Sequence, residues 1–135
     1  MTVSAALRIL IVDDCIDTRN FIKQILLKKG FKNIVSATNG DEALQILNES
    51  YKAFTPIGLI LADREMPVLD GMQFLSKVRL DPRYNEVPFI MVTADNEKDH
   101  VVEALSVGVT NYIVKPIRGD VLLNKMVETL ERKVS

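Results

Sequence analysis

The sequence predicts an α/β domain: a five-stranded parallel sheet with helices on both faces. Short apolar runs alternate with stretches whose apolar residues recur at helical spacing, and this unit occurs five times. The runs are also apolar almost throughout, as strands buried on both faces are. Strand-helix-strand crossovers are right-handed, so the sheet is parallel and the result is a three-layer sandwich. A closed barrel needs eight such units. Periodicity alone leaves the strand order open.

The first strand is Leu7-Arg8-Ile9-Leu10-Ile11-Val12, which stops at Asp13-Asp14. Asp17 or Thr18 is the candidate cap of the first helix. Phe21, Ile22, Ile25 and Leu26 recur at helical spacing, Arg19, Lys23, Lys28 and Lys29 form a solvated face, and Gly30 ends the helix. Ile34-Val35-Ser36-Ala37 is the second strand. Asn39-Gly40-Asp41-Glu42 resembles a capping box, followed by the stripe Ala43, Leu44, Ile46 and Leu47. Thr55-Pro56 punctuates the chain, and Ile57-Gly58-Leu59-Ile60-Leu61-Ala62 is the third strand, ending in Asp63.

Pro67 disfavours helix at Met66. Asp70 with Gln73 signs the start of the third helix, where Met72, Leu75 and Val78 line one face beside Phe74 and Arg79. A polar loop over 81–88 leads to the strand Phe89-Ile90-Met91-Val92, which ends at Thr93-Ala94-Asp95. Asn96 or Glu97 opens the fourth helix, with Val101, Val102 and Leu105 as its apolar face and Gly108 as its C-cap. Tyr112-Ile113-Val114 is the fifth strand, ending at Lys115-Pro116. The last helix runs from about Arg118, with Leu123, Val127, Leu130 and Val134 on its core side and Leu122 and Met126 widening the stripe.

At 135 residues the chain fits one domain and buries a real core without staples. Hydrophobic content of 47% with 26% charged residues is globular. Lys and Arg number 17 against 18 Asp and Glu, so no basic excess argues for nucleic acid or a membrane surface. The single cysteine, Cys15, forms no internal disulfide and no Cys-x-x-Cys metal motif. With no secretory signal and no membrane-length apolar run, a cytoplasmic location is expected.

In a parallel sheet all strands end on one rim, where open α/β sheets bind ligands. Asp13, Asp14, Asp63, Thr93 and Lys115 thus become one cluster. Its carboxylates repel without a counter-charge. Lys115 offsets part of that, and a hard divalent cation such as Mg²⁺ offsets more. No Gly-x-x-x-x-Gly-Lys-Ser/Thr or Gly-x-Gly-x-x-Gly loop is present, so nucleotide cradling is unsupported. Carboxylates do form aspartyl phosphates. In that chemistry Asp63 is the nucleophile, Asp13 and Asp14 hold the metal, Lys115 neutralises phosphoryl charge and Thr93 donates a hydrogen bond.

Four segments carry a resemblance: Ile11-Val12-Asp13-Asp14, Ala62-Asp63-Arg64-Glu65-Met66-Pro67 with Asp70-Gly71, Val92-Thr93-Ala94, and Tyr112-Ile113-Val114-Lys115-Pro116. In order and spacing they resemble the response-regulator receiver domains of two-component signalling, especially the stand-alone chemotaxis type. The resemblance implies a doubly wound, flavodoxin-like (CheY-like) sheet of order 2-1-3-4-5, with 1–6 as an extension and 7–135 as a single receiver domain without an output domain. It implies that Asp63 accepts a phosphoryl group from a histidine kinase or histidine phosphotransfer protein. It further implies Asp13, Asp14, Asp63 and the Glu65 backbone carbonyl as Mg²⁺ ligands, Lys115 as the phosphate contact, Thr93 and Tyr112 as the switch pair, and a cis bond before Pro116. The implied output is altered affinity for a protein such as a flagellar motor switch component.

Glu65 stands where chemotaxis members often have asparagine, with a side chain that faces the pocket in the family. Asp95, two residues after Thr93, is the matching flank, and both are expected to modulate the site. Arg64 stands beside Asp63 where other members vary. His100, the only histidine, is expected to face solvent. Cys15 is read as a small packing residue. Two competing functions are a phosphorylation-independent interaction module that keeps the fold and a small Mg²⁺-dependent phosphatase.

Overall fold

The computed structural model describes residues 4–134. In order, β1 is Arg8–Val12, α1 Ile16–Lys28, β2 Asn33–Ala37, α2 Gly40–Lys52 and β3 Leu59–Ala62. Then follow α3 Gly71–Leu80, β4 Phe89–Thr93, α4 Lys98–Val107, β5 Asn111–Val114 and α5 Gly119–Val134. All neighbouring strands are parallel, in the order β2-β1-β3-β4-β5. This is the doubly wound arrangement implied above. Of the expected extension over 1–6, residues 1–3 lie outside the described residues.

Strand side chains alternate between two cores. Leu10, Val12, Ile60, Ala62, Phe89 and Met91 face α2, α3 and α4, meeting Ala43, Leu47, Phe74, Leu75, Val78 and Ala104. Ile9, Ile11, Leu59, Leu61, Ile90, Val92 and Ile113 face α1 and α5, meeting Ile22, Leu26, Leu122 and Met126. Each fully buried aliphatic side chain contributes about 1.5–3 kcal/mol. Among the described residues no helix is long and apolar enough to cross a membrane.

Several local expectations are corrected. The third strand starts at Leu59, because its ladder with β1 opens at Ile9↔Leu59, and Ile57 is buried ahead of it. Neither Asp17 nor Thr18 caps α1. Its N-cap is Cys15, whose side chain makes no capping hydrogen bond, while the Cys15 amide donates to Asp13 Oδ1 at 2.9 Å. Phe21 is half exposed beside buried Ile22 and Leu26. Only half of the capping box at α2 forms: Asn39 Oδ1 accepts from the Glu42 amide at 2.9 Å, but the Glu42 carboxylate accepts from the Thr38 hydroxyl at 3.0 Å. At α3 the box is complete, with Gln73 N–H to Asp70 Oδ1 at 2.8 Å and Asp70 N–H to Gln73 Oε1 at 3.0 Å. Gly108 ends α4 in the left-handed region, at φ 115°. The Lys115–Pro116 bond is cis.

The faces of the last two helices are turned by one residue from the expected stripes, about 100°. α4 buries Ala104, whereas Val102 and Leu105 are 55% and 52% exposed. α5 buries Leu122, Met126 and Thr129, with Val127 exposed and Leu123 and Leu130 half-buried. The expected core position of the Val134 side chain lies outside the described residues. A polar residue at a core position explains the turn of α5. Thr129 Oγ1 donates to Lys125 O at 2.6 Å and accepts from Asn111 Nδ2 at 3.1 Å, so its burial leaves nothing unpaired.

Candidate functional site

The sheet ladder runs one step beyond β1, β3 and β5 and fixes the residues there. Asp13 N–H donates to Ala37 O at 3.1 Å, Asp63 N–H to Val12 O at 2.9 Å and Lys115 N–H to Thr93 O at 2.8 Å. Their side chains converge. Lys115 Nζ lies 2.9 Å from Asp13 Oδ2 and 3.0 Å from Asp63 Oδ2. Asp13, Asp63 and Thr93 are buried and Asp14 is exposed. Asp13, Asp14 and Asp63 each offer a carboxylate oxygen within 4.8 Å of the others. This all-oxygen anionic donor set fits a hard divalent cation of the Mg²⁺ kind.

Burial pushes the Asp13 carboxyl up; the Cys15 amide and the Lys115 ammonium pull it back only in part. Burial alone would lower the Lys115 ammonium. Its hydrogen bonds to Asp13 and Asp63 outweigh that and hold it above its ordinary range. Lys115 is therefore a fixed positive charge between two carboxylates. Gly71 closes the site from α3: a Cβ there would lie 2.2 Å from the Asp63 carbonyl oxygen. The Gly71 amide donates to Arg64 O at 2.8 Å.

The flanking residues divide. Glu65 is exposed, its amide donates to Asp63 Oδ1 at 3.3 Å, and its carboxylate stands outside the three-acid group. Thr93 Oγ1 accepts from the Asp95 amide at 3.3 Å. Tyr112 is half-buried, and its hydroxyl donates to Asp95 O at 2.8 Å. Burial, with the nearby Asp95 charge, raises the Tyr112 phenol.

One expectation is refined here and one fails. His100 faces solvent with 42% of its side chain exposed, but its Nδ1 also lies 2.6 Å from Asp95 Oδ2. That hydrogen bond raises the imidazole above its ordinary value. Cys15 packs nothing, since it is exposed at the start of α1, where the hydroxyl and amide of Thr18 and the Asp17 amide lower its thiol. The contacts of Arg64 with Asp95, His100 and Glu103 carried no signal in the sequence, because these residues sit on separate loops and a helix.

Residues 9–127 match the family model for the response regulator receiver domain. The chain is 37% identical over 120 residues to the chemotaxis protein CheY1 of Helicobacter pylori, covering 89% of this chain and 94% of that one. It is also 37% identical over 126 residues to the chemotaxis protein CheY of Pseudomonas aeruginosa, covering 93% and 98%. Among solved structures it resembles Vibrio cholerae CheY4, with a TM-score of 0.80, 31% identity and coverage of 92% and 98%. It likewise resembles the CheX-CheY-BeF3-Mg complex of Borrelia burgdorferi, with a TM-score of 0.83, 29% identity and coverage of 90% and 87%. The strand order, the acidic rim and these likenesses agree: the chain belongs to the response regulator receiver domains and is CheY-like.

Proposed function

We propose that the chain is a phosphorylation-activated signalling receiver. It accepts a phosphoryl group from a phosphohistidine onto Asp63, with Mg²⁺, and changes its affinity for a partner protein in chemotaxis or a phosphorelay. The observation that carries this reading is the ammonium of Lys115 held between Asp13 and Asp63 within a cluster of three carboxylates.

An Asp63 carboxylate oxygen attacks phosphorus. A P–O bond forms, the P–N bond to the donor imidazole breaks, and the imidazole leaves with that electron pair. Lys115 neutralises charge on the moving phosphoryl oxygens from a position it already occupies. Asp13, Asp14, Asp63 and the Glu65 backbone carbonyl are the residues that would hold Mg²⁺, which when bound supplies further charge neutralisation. Water later attacks the acyl phosphate and returns the free carboxylate and inorganic phosphate, and Glu65 and Asp95 flank that step. Phosphorylation raises the local charge to about −1.5 to −2 and adds acceptor oxygens. Thr93 and Tyr112 answer that change, and the partner reads the surface beyond them.

The donor is a histidine kinase or histidine phosphotransfer protein. The likeness to chemotaxis proteins favours a flagellar motor switch protein as target. The reading is tested by incubation with Mg²⁺ and acetyl phosphate followed by intact mass. One phosphoryl addition is expected, absent in Asp63→Asn. No addition with any small phosphodonor would overturn it.

A further inference from the structure

One side chain ties the turn behind Asp63 to the fourth helix. The Arg64 side chain is only 12% exposed. Its Nη1 donates to His100 O at 3.0 Å, its Nη2 pairs with the Glu103 carboxylate, and its Nε lies 3.6 Å from Asp95 Oδ2. The Asp95 carboxylate is just 10% exposed and also meets His100 Nδ1 at 2.6 Å. Its other oxygen accepts the Glu97 amide at 3.1 Å. The main-chain carbonyl of this same Asp95 receives the Tyr112 hydroxyl. A single guanidinium thus joins the β3–α3 turn, the β4–α4 loop and the first two turns of α4. Isolated surface ion pairs are worth little, but a planar fork that is itself largely buried and spans the Asp95 carboxylate, the His100 carbonyl and the exposed Glu103 carboxylate fixes geometry as well as charge.

We propose that Arg64 is a positioning residue. By clamping Asp95 and the start of α4 to the turn that carries Asp63, it sets where the Tyr112 hydroxyl is held. It thereby sets the shape of the surface where Val102, Leu105 and Val114 are exposed. The clamp deepens the receiver reading, and only the meaning of that surface rests on the reading. Arg64 fits the task because its donors reach three acceptors lying in different directions. A lysine ammonium on a flexible stem reaches fewer of them.

The groups facing His100 are Asp95, Glu97 with its carboxylate 3.6 Å from Nε2, and Arg64, whose fork also holds Glu103. The test is NMR of the full chain, reading the Tyr112 ring and the imidazole of the single histidine in the unmodified protein, Arg64→Met and Arg64→Lys. Arg64→Met is expected to move the Tyr112 ring signals while those of Tyr51 and Tyr84, on another part of the molecule, stay in place. It is also expected to raise the His100 titration midpoint, because a neighbouring cation is gone and Asp95 is left to the imidazole. Arg64→Lys recovers part of both effects. If Arg64→Met loses its dispersed amide spectrum, Glu103→Gln opens one exposed arm of the fork and is expected to move Tyr112 the same way by less. Tyr112 signals that coincide across every folded variant overturn the proposal. Intact-mass phosphorylation of the same samples keeps the two ideas apart. A chain that takes no phosphoryl group refutes the receiver reading and leaves the clamp standing, whereas unmoved Tyr112 signals refute the clamp alone.

Discussion

At Gly71 a single missing side chain holds two elements together. A Cβ would stand 2.2 Å from Asp63 O and 2.7 Å from Arg64 Cα, both backbone atoms with nowhere to go. Gly71→Ala must therefore push the start of α3 off the turn that carries Asp63. Chemical denaturation should show a loss of about 1–3 kcal/mol or more, and phosphoryl addition from acetyl phosphate should slow. His100 gives a second residue-level expectation. Its folded value lies above the ordinary 6.5, so the fold favours the protonated ring. That contribution is complete below about pH 6.5 and is lost as pH rises through the higher folded value. Melting temperature followed against pH should fall over that window, and His100→Gln should flatten the fall. The sequence revealed Asp13, Asp14, Asp63, Thr93 and Lys115 because parallel strands gather their ends by geometry alone. It hid the demand on Gly71, since a glycine after a capping aspartate reads as helix start. It hid His100 too, whose partner comes from the loop before its own helix.

Among the elements, α3 shows how far one side chain reaches. Arg79 Nε donates to Gly108 O at 2.8 Å, and Nη1 donates to Val87 O at 2.7 Å and Asn85 O at 3.3 Å. Nη2 lies 3.4 Å from Thr110 Oγ1. The guanidinium staples the end of α3 to the strand entrance at β4 and to the α4–β5 turn. Burial lowers its pKa. Arg79→Met keeps the stem and leaves several half-buried carbonyls unpaired, so thermal and urea unfolding should show a loss on the order of 2–4 kcal/mol. In sequence Arg79 is merely a basic neighbour of an apolar stripe. Element existence and order were plain from the apolar runs, because burial on both faces leaves few other ways to read them. The faces of α4 and α5 were not. Ala104 is too small to dominate a hydrophobic stripe, and Thr129 is polar by type although its hydroxyl is fully paired inside the core. A reading that weighs hydrophobicity rotates both helices towards their larger, exposed aliphatic residues.

For the molecule as a whole, the rim is prepared before any ligand arrives. The backbone ladder continues into Asp13, Asp63 and Lys115, so the carboxylates of Asp13 and Asp63 project from residues held by sheet hydrogen bonds. Binding of a divalent cation there favours the folded chain over the unfolded one. Mg²⁺ at a hundred times its Kd should add about 2.7 kcal/mol to stability, visible as a higher Tm. EDTA should reverse the gain, and Asp14→Asn should abolish most of it.

The same strand polarity gives the sheet an opposite rim, away from Asp13, Asp63 and Lys115. The α2–β3 connection lies there, with Phe54 93% exposed at φ 61° and Thr55 and Pro56 exposed beside it. It stands a strand's length from Asp63, roughly 15 Å at about 3.3 Å per residue. A fluorophore attached in that loop would stand clear of the Asp13, Asp63 and Lys115 cluster, which makes the loop a place to label the chain without crowding that rim.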